Sequence, residues 1–118
     1  MRLSVVYSKD VNEFGLPEIQ IVVTSWLIKV GILTAMIGEK DPKRYIVYIR
    51  SYRPGKGIAK MLLIKINEIF QELARTKKVI INDVVTFLSD ESEMKLKKYY
   101  TQLGYTKEEN LLVKSFKP

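Results

Sequence analysis

The chain has 118 residues, 47% of them hydrophobic and 28% charged, with no cysteine and no histidine. These absences exclude a disulfide framework, a thiolate nucleophile, a serine–histidine triad and a zinc site built on Cys or His. Twenty basic residues against thirteen acidic ones leave a net charge of +7; such a surface suits DNA, RNA, anionic lipid or a phosphorylated cofactor, and charge alone does not choose among them.

Leu3-Ser4-Val5-Val6-Tyr7 reads as a short strand, and residues 9–18, with Lys9, Asp10, Asn12, Glu13, Gly15 and Pro17, as a connection. Ile19–Trp26 and Ile28–Ile37 are dense in β-branched residues, which favours strand over helix; a bend between Trp26 and Lys29 would make them a hairpin. Gly38-Glu39-Lys40-Asp41-Pro42-Lys43 is a turn in which Pro42 excludes a central strand. Arg44–Tyr52 alternates Tyr45, Val47, Ile49 and Ser51 with Ile46, Tyr48, Arg50 and Tyr52, a further strand. After Gly55 the period changes. Ile58, Met61, Leu62, Lys65, Ile66, Ile69, Phe70 and Leu73 recur at three and four, an amphipathic helix of about five turns. Thr76-Lys77-Lys78 closes it with the charge a helix C-terminus prefers. Val79–Leu88 is apolar enough for a central strand. Asp90 and Glu93 form a capping box for a second helix, with Leu96, Tyr99, Tyr100 and Leu103 as its buried stripe and Gly104 as its stop. Leu111–Phe116 is the last strand. This order predicts an α+β fold: a mixed, mostly antiparallel sheet with flanking helices.

The length fits one domain over residues 1–118, able to bury about two-thirds of its extended surface without staples. The N-terminal run turns polar at Ser8-Lys9-Asp10, too early for a secretory apolar region. The longest apolar stretch, Ile19 to Ile37, is interrupted by Gln20, Thr24, Ser25, Lys29, Gly31 and Thr34, short of the roughly 18 apolar residues of a membrane span. The expectation is a cytoplasmic protein without a membrane partner.

The segment Tyr52-Arg53-Pro54-Gly55-Lys56-Gly57-Ile58-Ala59-Lys60 carries the strongest signal. Two glycines one residue apart, between a strand and a helix, let backbone N–H groups turn toward one point. With the helix dipole and Arg53, Lys56 and Lys60 they suit a phosphate or pyrophosphate. The spacing is neither that of a P-loop nor that of a dinucleotide fingerprint, and a plain tight turn with solvated lysines has the same composition.

This stretch resembles the acetyl-coenzyme A loop of the GNAT superfamily of N-acetyltransferases, Arg/Gln-x-x-Gly-x-Gly/Ala followed by an aliphatic helix. Gly55 and Gly57 match the small positions, and Ile58, Ala59, Leu62 and Leu63 the helix start. Tyr52 stands where the family favours Gln or Arg, and Arg53 is one residue closer. A second resemblance is Tyr100-Thr101-Gln102-Leu103-Gly104-Tyr105, similar to the family's Tyr-x-x-x-Gly-Phe signature; Glu93 stands where an asparagine is usual. The two signatures lie in the family's order and spacing, and the resemblance covers about residues 19–116.

The resemblance implies acetyl-coenzyme A between two splayed parallel strands, here Tyr45–Tyr52 and Val79–Leu88. Backbone near Ser51 and Tyr52 would pair with the pantetheine arm. Amides from Arg53, Gly55, Lys56, Gly57 and Ile58, with Pro54 shaping the loop and Ala59 and Lys60 beyond, would surround the pyrophosphate. A primary amine would attack the thioester carbonyl, with Tyr100 as the proton donor to the departing thiolate; a tyrosine of an amphipathic core with its hydroxyl at the surface fits the same sequence. The strand before the loop has no acidic base. Asp83 on the next strand could approach the cleft, unless Asn82 is the inward residue. Only about ten residues separate the first two strands, where the family has two helices, so the acceptor wall is small or completed by a second subunit, and the open site suits a protein amine.

Two other classes fit. Lys95, Lys97 and Lys98 with Tyr48 and Tyr52 suit nucleic acid on a degenerate, non-catalytic fold, although no recognised motif for it is present. Trp26, with Ile28 and Ile32, reads either as core or as the cap of an exposed edge that pairs with a second copy, a homodimer.

Overall fold

The structure, a computed structural model, describes residues 2–8, 18–37, 43–51, 57–85, 97–109 and 111–118. In chain order the elements are β1 (Arg2–Ser8), β2 (Glu18–Ser25), β3 (Ile28–Ile37), β4 (Lys43–Ser51), α1 (Ile58–Lys77), β5 (Ile81–Val85), β6 (Thr106–Glu108) and β7 (Leu111–Phe116). Residues 97–102 form a further helical segment. The strands make one sheet in the order β1-β2-β3-β4-β5-β7-β6. Neighbours are antiparallel except β4 and β5, which run parallel from Lys43↔Ile81 to Ile46↔Val84. This is the mixed, mostly antiparallel α+β sheet expected, with the architecture of the acyl-coenzyme A N-acyltransferase-like fold.

Alternation along β2 and β3 turns Ile19, Ile21, Val23, Leu33 and Ala35 to one face, where they are buried. The apolar stripe of α1 covers that face: Ile58, Leu62, Ile66 and Phe70 join the strand residues in one core. A second cluster gathers Leu63 of α1, Val85, Leu112, Tyr100 and Tyr105, so the 97–102 segment packs beside α1. Neither helical element is long and apolar enough to cross a membrane.

The β2–β3 hairpin turns at Trp26-Leu27, between the paired residues Ser25 and Ile28. The register then passes from Thr24↔Lys29 to Val23↔Gly31, leaving Val30 unmatched. This bulge turns Val30 inward, where it is 1% exposed, and adds local twist. Trp26 sits at φ 59, a conformation in which a bulky side chain crowds its own backbone. It is 96% exposed, so the core reading of Trp26 is overturned.

Helix α1 ends on Lys78 at φ 54, with the Val79 N–H donating to the Ala74 carbonyl at 3.1 Å. That bond holds Val79 to the helix, which is why β5 begins at Ile81 and not at Val79. Residues 86–88 of the expected strand, the 9–17 connection, the turn at 38–42 and the Asp90/Glu93 capping box lie outside the described residues. Strand β6 departs from the expected element list: Thr106, Lys107 and Glu108 are all exposed and carry no apolar alternation to announce a strand.

Trp26 is the sole tryptophan, and it reports solvent in the folded chain. Its emission maximum should stay within a few nanometres on unfolding in urea, and Trp26→Gly should leave stability unchanged or raise it by up to about 1 kcal/mol as the strained conformation is relieved. A large red shift on unfolding would show the indole to be buried.

Candidate functional site

The parallel pair β4–β5 is the topological switch of the sheet, and the carboxyl ends of such strands are where open sheets of this kind hold ligands. β4 ends at Ser51, and α1 starts six residues later at Gly57-Ile58. Tyr52, Arg53, Pro54, Gly55 and Lys56 lie outside the described residues. Of the expected loop, Ser51, Gly57, Ile58, Ala59 and Lys60 are described.

Gly57 is the residue before the helix, at φ 71, and an added Cβ would meet nothing within 4 Å. The left-handed backbone requires glycine there, while the space in front of it is open. Among the described residues no side chain caps the start of α1, and its first turn has no acidic residue. The first helical N–H groups have no intrahelical acceptor and, among the described residues, no capping carboxylate, and Lys60 adds positive charge to the positive dipole end. That combination disfavours an isolated helix and favours a bound anion. The site thus fits a pyrophosphate.

A missing side chain positions this helix start. Gly31 of β3 is buried and paired with Ser51, and a Cβ on it would fall 2.3 Å from Ile58 Cγ2. The close approach of backbone to helix sets the first residue of α1 directly on the strand beside the end of β4. Sequence reasoning missed this role. The available signal was a lone glycine inside a β-branched run. Gly31→Val should shift the start of α1 and cost about 1–3 kcal/mol in urea unfolding; a variant as stable as the parent would show that Ile58 repacks freely.

The Tyr100 segment meets the same helix. Lys60 Nζ lies 5.9 Å from the centre of the Tyr99 ring, and Tyr100 shares its cluster with Leu63. Tyr100 is only 1% exposed, so it is a core tyrosine as the alternative reading had it, but without the surface hydroxyl that reading gave it. Its ring stands edge-to-face on Tyr105, centroids 4.8 Å apart. Gly104, at φ 95, ends the segment as expected, with the Tyr105 N–H donating back to the Tyr100 carbonyl at 3.0 Å. Burial, and next the negative charge of Asp83, push the Tyr100 hydroxyl above its usual range, so it holds its proton.

Asp83, not Asn82, is the inward residue of β5, and it is fully buried. Tyr105 Oη donates to Asp83 Oδ2, while Asp83 Oδ1 has no hydrogen-bond partner among the described residues. Asn67 of α1 donates to Tyr105 Oη at 3.2 Å and to the Leu63 carbonyl at 3.0 Å. Lys114, opposite Asp83 in the β5–β7 register, donates to Asn67 Oδ1 at 2.7 Å and to the Leu103 carbonyl. Burial pushes the Asp83 carboxyl up to about 7, against the lowering effects of the Tyr105 hydrogen bond and the Lys114 charge. Burial lowers Lys114, with the Asp83 charge opposing. The sequence singled out Asp83 but not Asn67 or Lys114; an amide between Ile66 and Phe70 in an apolar stripe was the signal for the first.

Between about pH 4 and pH 7 the folded chain holds the Asp83 proton and the unfolded chain releases it. Stability should therefore fall as pH rises through that window, by an amount on the order of 4 kcal/mol at most. Asp83→Asn, which keeps an acceptor for Tyr105, should flatten the profile and raise stability at about pH 8. Parallel urea-unfolding profiles for parent and variant would show that Asp83 titrates as an ordinary carboxylate.

No family model matches the sequence, and no curated protein matches it. Among solved structures, the fold is similar to that in the crystal structure of the KacTA–DNA complex, with TM-score 0.60 and 17% identity over 85% of this chain and 67% of that one. At that identity the likeness establishes the general GNAT-type fold.

Proposed function

We propose that the chain is an N-acetyltransferase that transfers an acetyl group from acetyl-coenzyme A to a primary amine, with an amine on a protein as the acceptor. The reading is carried by one convergence: an uncapped helix start with a left-handed glycine, at the carboxyl end of a parallel strand pair, packed against the Tyr99–Tyr105 segment. Residues Arg53 to Lys60 would hold the pyrophosphate, and backbone at Ser51 and Tyr52 the pantetheine arm. Among the described residues β4 continues from Val47 to Ser51 beyond its ladder with β5, which supplies backbone groups for that arm. Bound acetyl-coenzyme A supplies an acyl group already activated as a thioester.

Tyr100 is the proposed proton donor to the departing sulfur. Burial makes this phenol a weaker acid than a free one, so its part would be a hydrogen bond to the developing thiolate ahead of proton transfer, and it does not serve as the base. The attacking amine must then arrive neutral or lose its proton to water, since β4 offers no acid. Activity should accordingly rise with pH toward the amine's own pKa. A nucleic-acid reading keeps some support from the +7 charge, the exposed Lys98 and the DNA in the similar complex; binding to that partner would weaken steeply with salt.

Calorimetric titration with acetyl-coenzyme A, with coenzyme A and ATP as controls, tests the reading. The parent chain should bind, and Gly57→Val, which forces a branched residue into a left-handed position, should lose at least tenfold in affinity while keeping its helical circular dichroism. Tyr100→Phe should keep binding and lose turnover by about 10²-fold or more. Absence of binding at millimolar ligand would overturn the proposal.

A further inference from the structure

The two edges of the sheet are built differently. The β6 edge is three residues long, Thr106-Lys107-Glu108, all exposed, with Glu109 at φ 55 directly after it. A short charged strand that turns away is a protected edge. The β1 edge has seven residues in unbroken register with β2, from Arg2↔Thr24 to Ser8↔Glu18. It has no proline and no bulge, and residues 3–8 carry no charge in a chain that is 28% charged. Leu3 and Val6 are 36% and 51% exposed, and Val5 packs only partly against the core. Among the described residues β1 carries none of the devices that blunt an edge strand: no proline, no bulge, no inward charge and no covering element.

We infer that β1 pairs with β1 of a second copy, antiparallel about a two-fold axis through Val5. Three observations choose this occupant. In that register Val5 faces Val5, Ser4 faces Val6, Leu3 faces Tyr7, and the only charged residue, Arg2, faces Ser8 of the second copy. No like charges meet, and neutral, β-favouring pairs stand opposite one another along the whole strand. Net charge sharpens the choice: two copies at +7 each repel, so self-association has to use a neutral surface, whereas an acidic partner would be drawn to the basic surfaces instead. Finally, because the β6 edge is protected, pairing through β1 consumes both open edges and closes at two copies rather than propagating as a fibre. The apolar hairpin tip at Trp26–Ile28 is also exposed, but it is a convex knob with no pairing rule of its own. The inference stands apart from the acetyl-coenzyme A reading.

The chain has no cysteine, so a single introduced one reports a single contact. Residues facing each other in an antiparallel pair have Cα atoms about 4.5–5.5 Å apart, within disulfide reach. Val5→Cys should give a disulfide-linked dimer under mild oxidation, while Glu108→Cys on the other edge stays monomeric. For the unmodified chain, light scattering should show a dimer fraction that grows with concentration and also grows as salt rises from about 0.05 to about 0.5 M, because salt screens the repulsion. Val6→Lys, at an exposed position, should abolish the dimer and leave the circular dichroism unchanged. The inference is overturned by a chain that stays monomeric at several hundred micromolar, by a dimer that survives Val6→Lys, or by Val5→Cys and Glu108→Cys linking equally.

Discussion

The contact between the backbone of Gly31 and the side chain of Ile58 is the constraint on which the rest of the arrangement depends. Helix α1 makes the crossover from β4 to β5, and the handedness and reach of such a crossover leave its start little freedom. By carrying no side chain, position 31 lets the first helical residue sit directly on β3, next to the end of β4. From that anchor the stripe Leu62-Ile66-Phe70 falls onto the buried faces of β2 and β3, and Leu63 and Asn67 fall toward β5 and β7. The same anchor sets the uncapped N–H groups at the mouth of the parallel pair. Packing and the proposed anion site thus rest on one geometric constraint.

Asp83 shows how a core with a polar centre can serve chemistry beside it. A half-satisfied buried carboxyl costs stability, and a leucine or asparagine would cost less. Burial, with the Asp83 charge adding to it once the carboxyl ionises, raises both Tyr100 and Tyr105 above the usual phenol range. The hydrogen bonds that run from Lys114 through Asn67 and Tyr105 to Asp83 tie α1, β5, β7 and the turn after the 97–102 segment into one network. The Tyr100 ring packs edge-to-face on Tyr105, a member of this network.

How much of this could be read from the sequence depended on whether the signal was local. Strands β2, β3, β4 and β7, and the span of α1, follow from β-branched density and from period, which are properties of neighbouring residues. The hairpin was expected near Trp26, but no Gly or Asn marked its left-handed position, because a tryptophan occupies it. β6 was illegible, since its three polar residues pair only with β7 and bury nothing. At the site, the two glycine signatures were visible in the chain order, and the inward turn of Asp83 was open until the register fixed it. The partners of Asp83 could not be read at all: they come from 22 residues away at Tyr105 and from across the sheet at Lys114, and only topology brings them together.

Three positions break local rules that folding alone would keep. A chain selected only for stability would carry Gly or Asn at position 26, a Ser, Thr or Asp cap before α1, and no ionisable group at position 83. Instead a strained, exposed tryptophan, an uncapped left-handed glycine and a buried carboxyl are retained. Trp26 projects from the start of β3, which lies beside the end of β4; Gly57 follows β4; Asp83 lies on the parallel neighbour of β4. Departures from local consistency concentrate where a protein exchanges stability for function. Of the three, Gly57 alone follows the carboxyl end of β4; Asp83 is paired with Tyr45 near the start of that strand, and Trp26 stands at the hairpin tip beyond the Gly31–Ser51 pair.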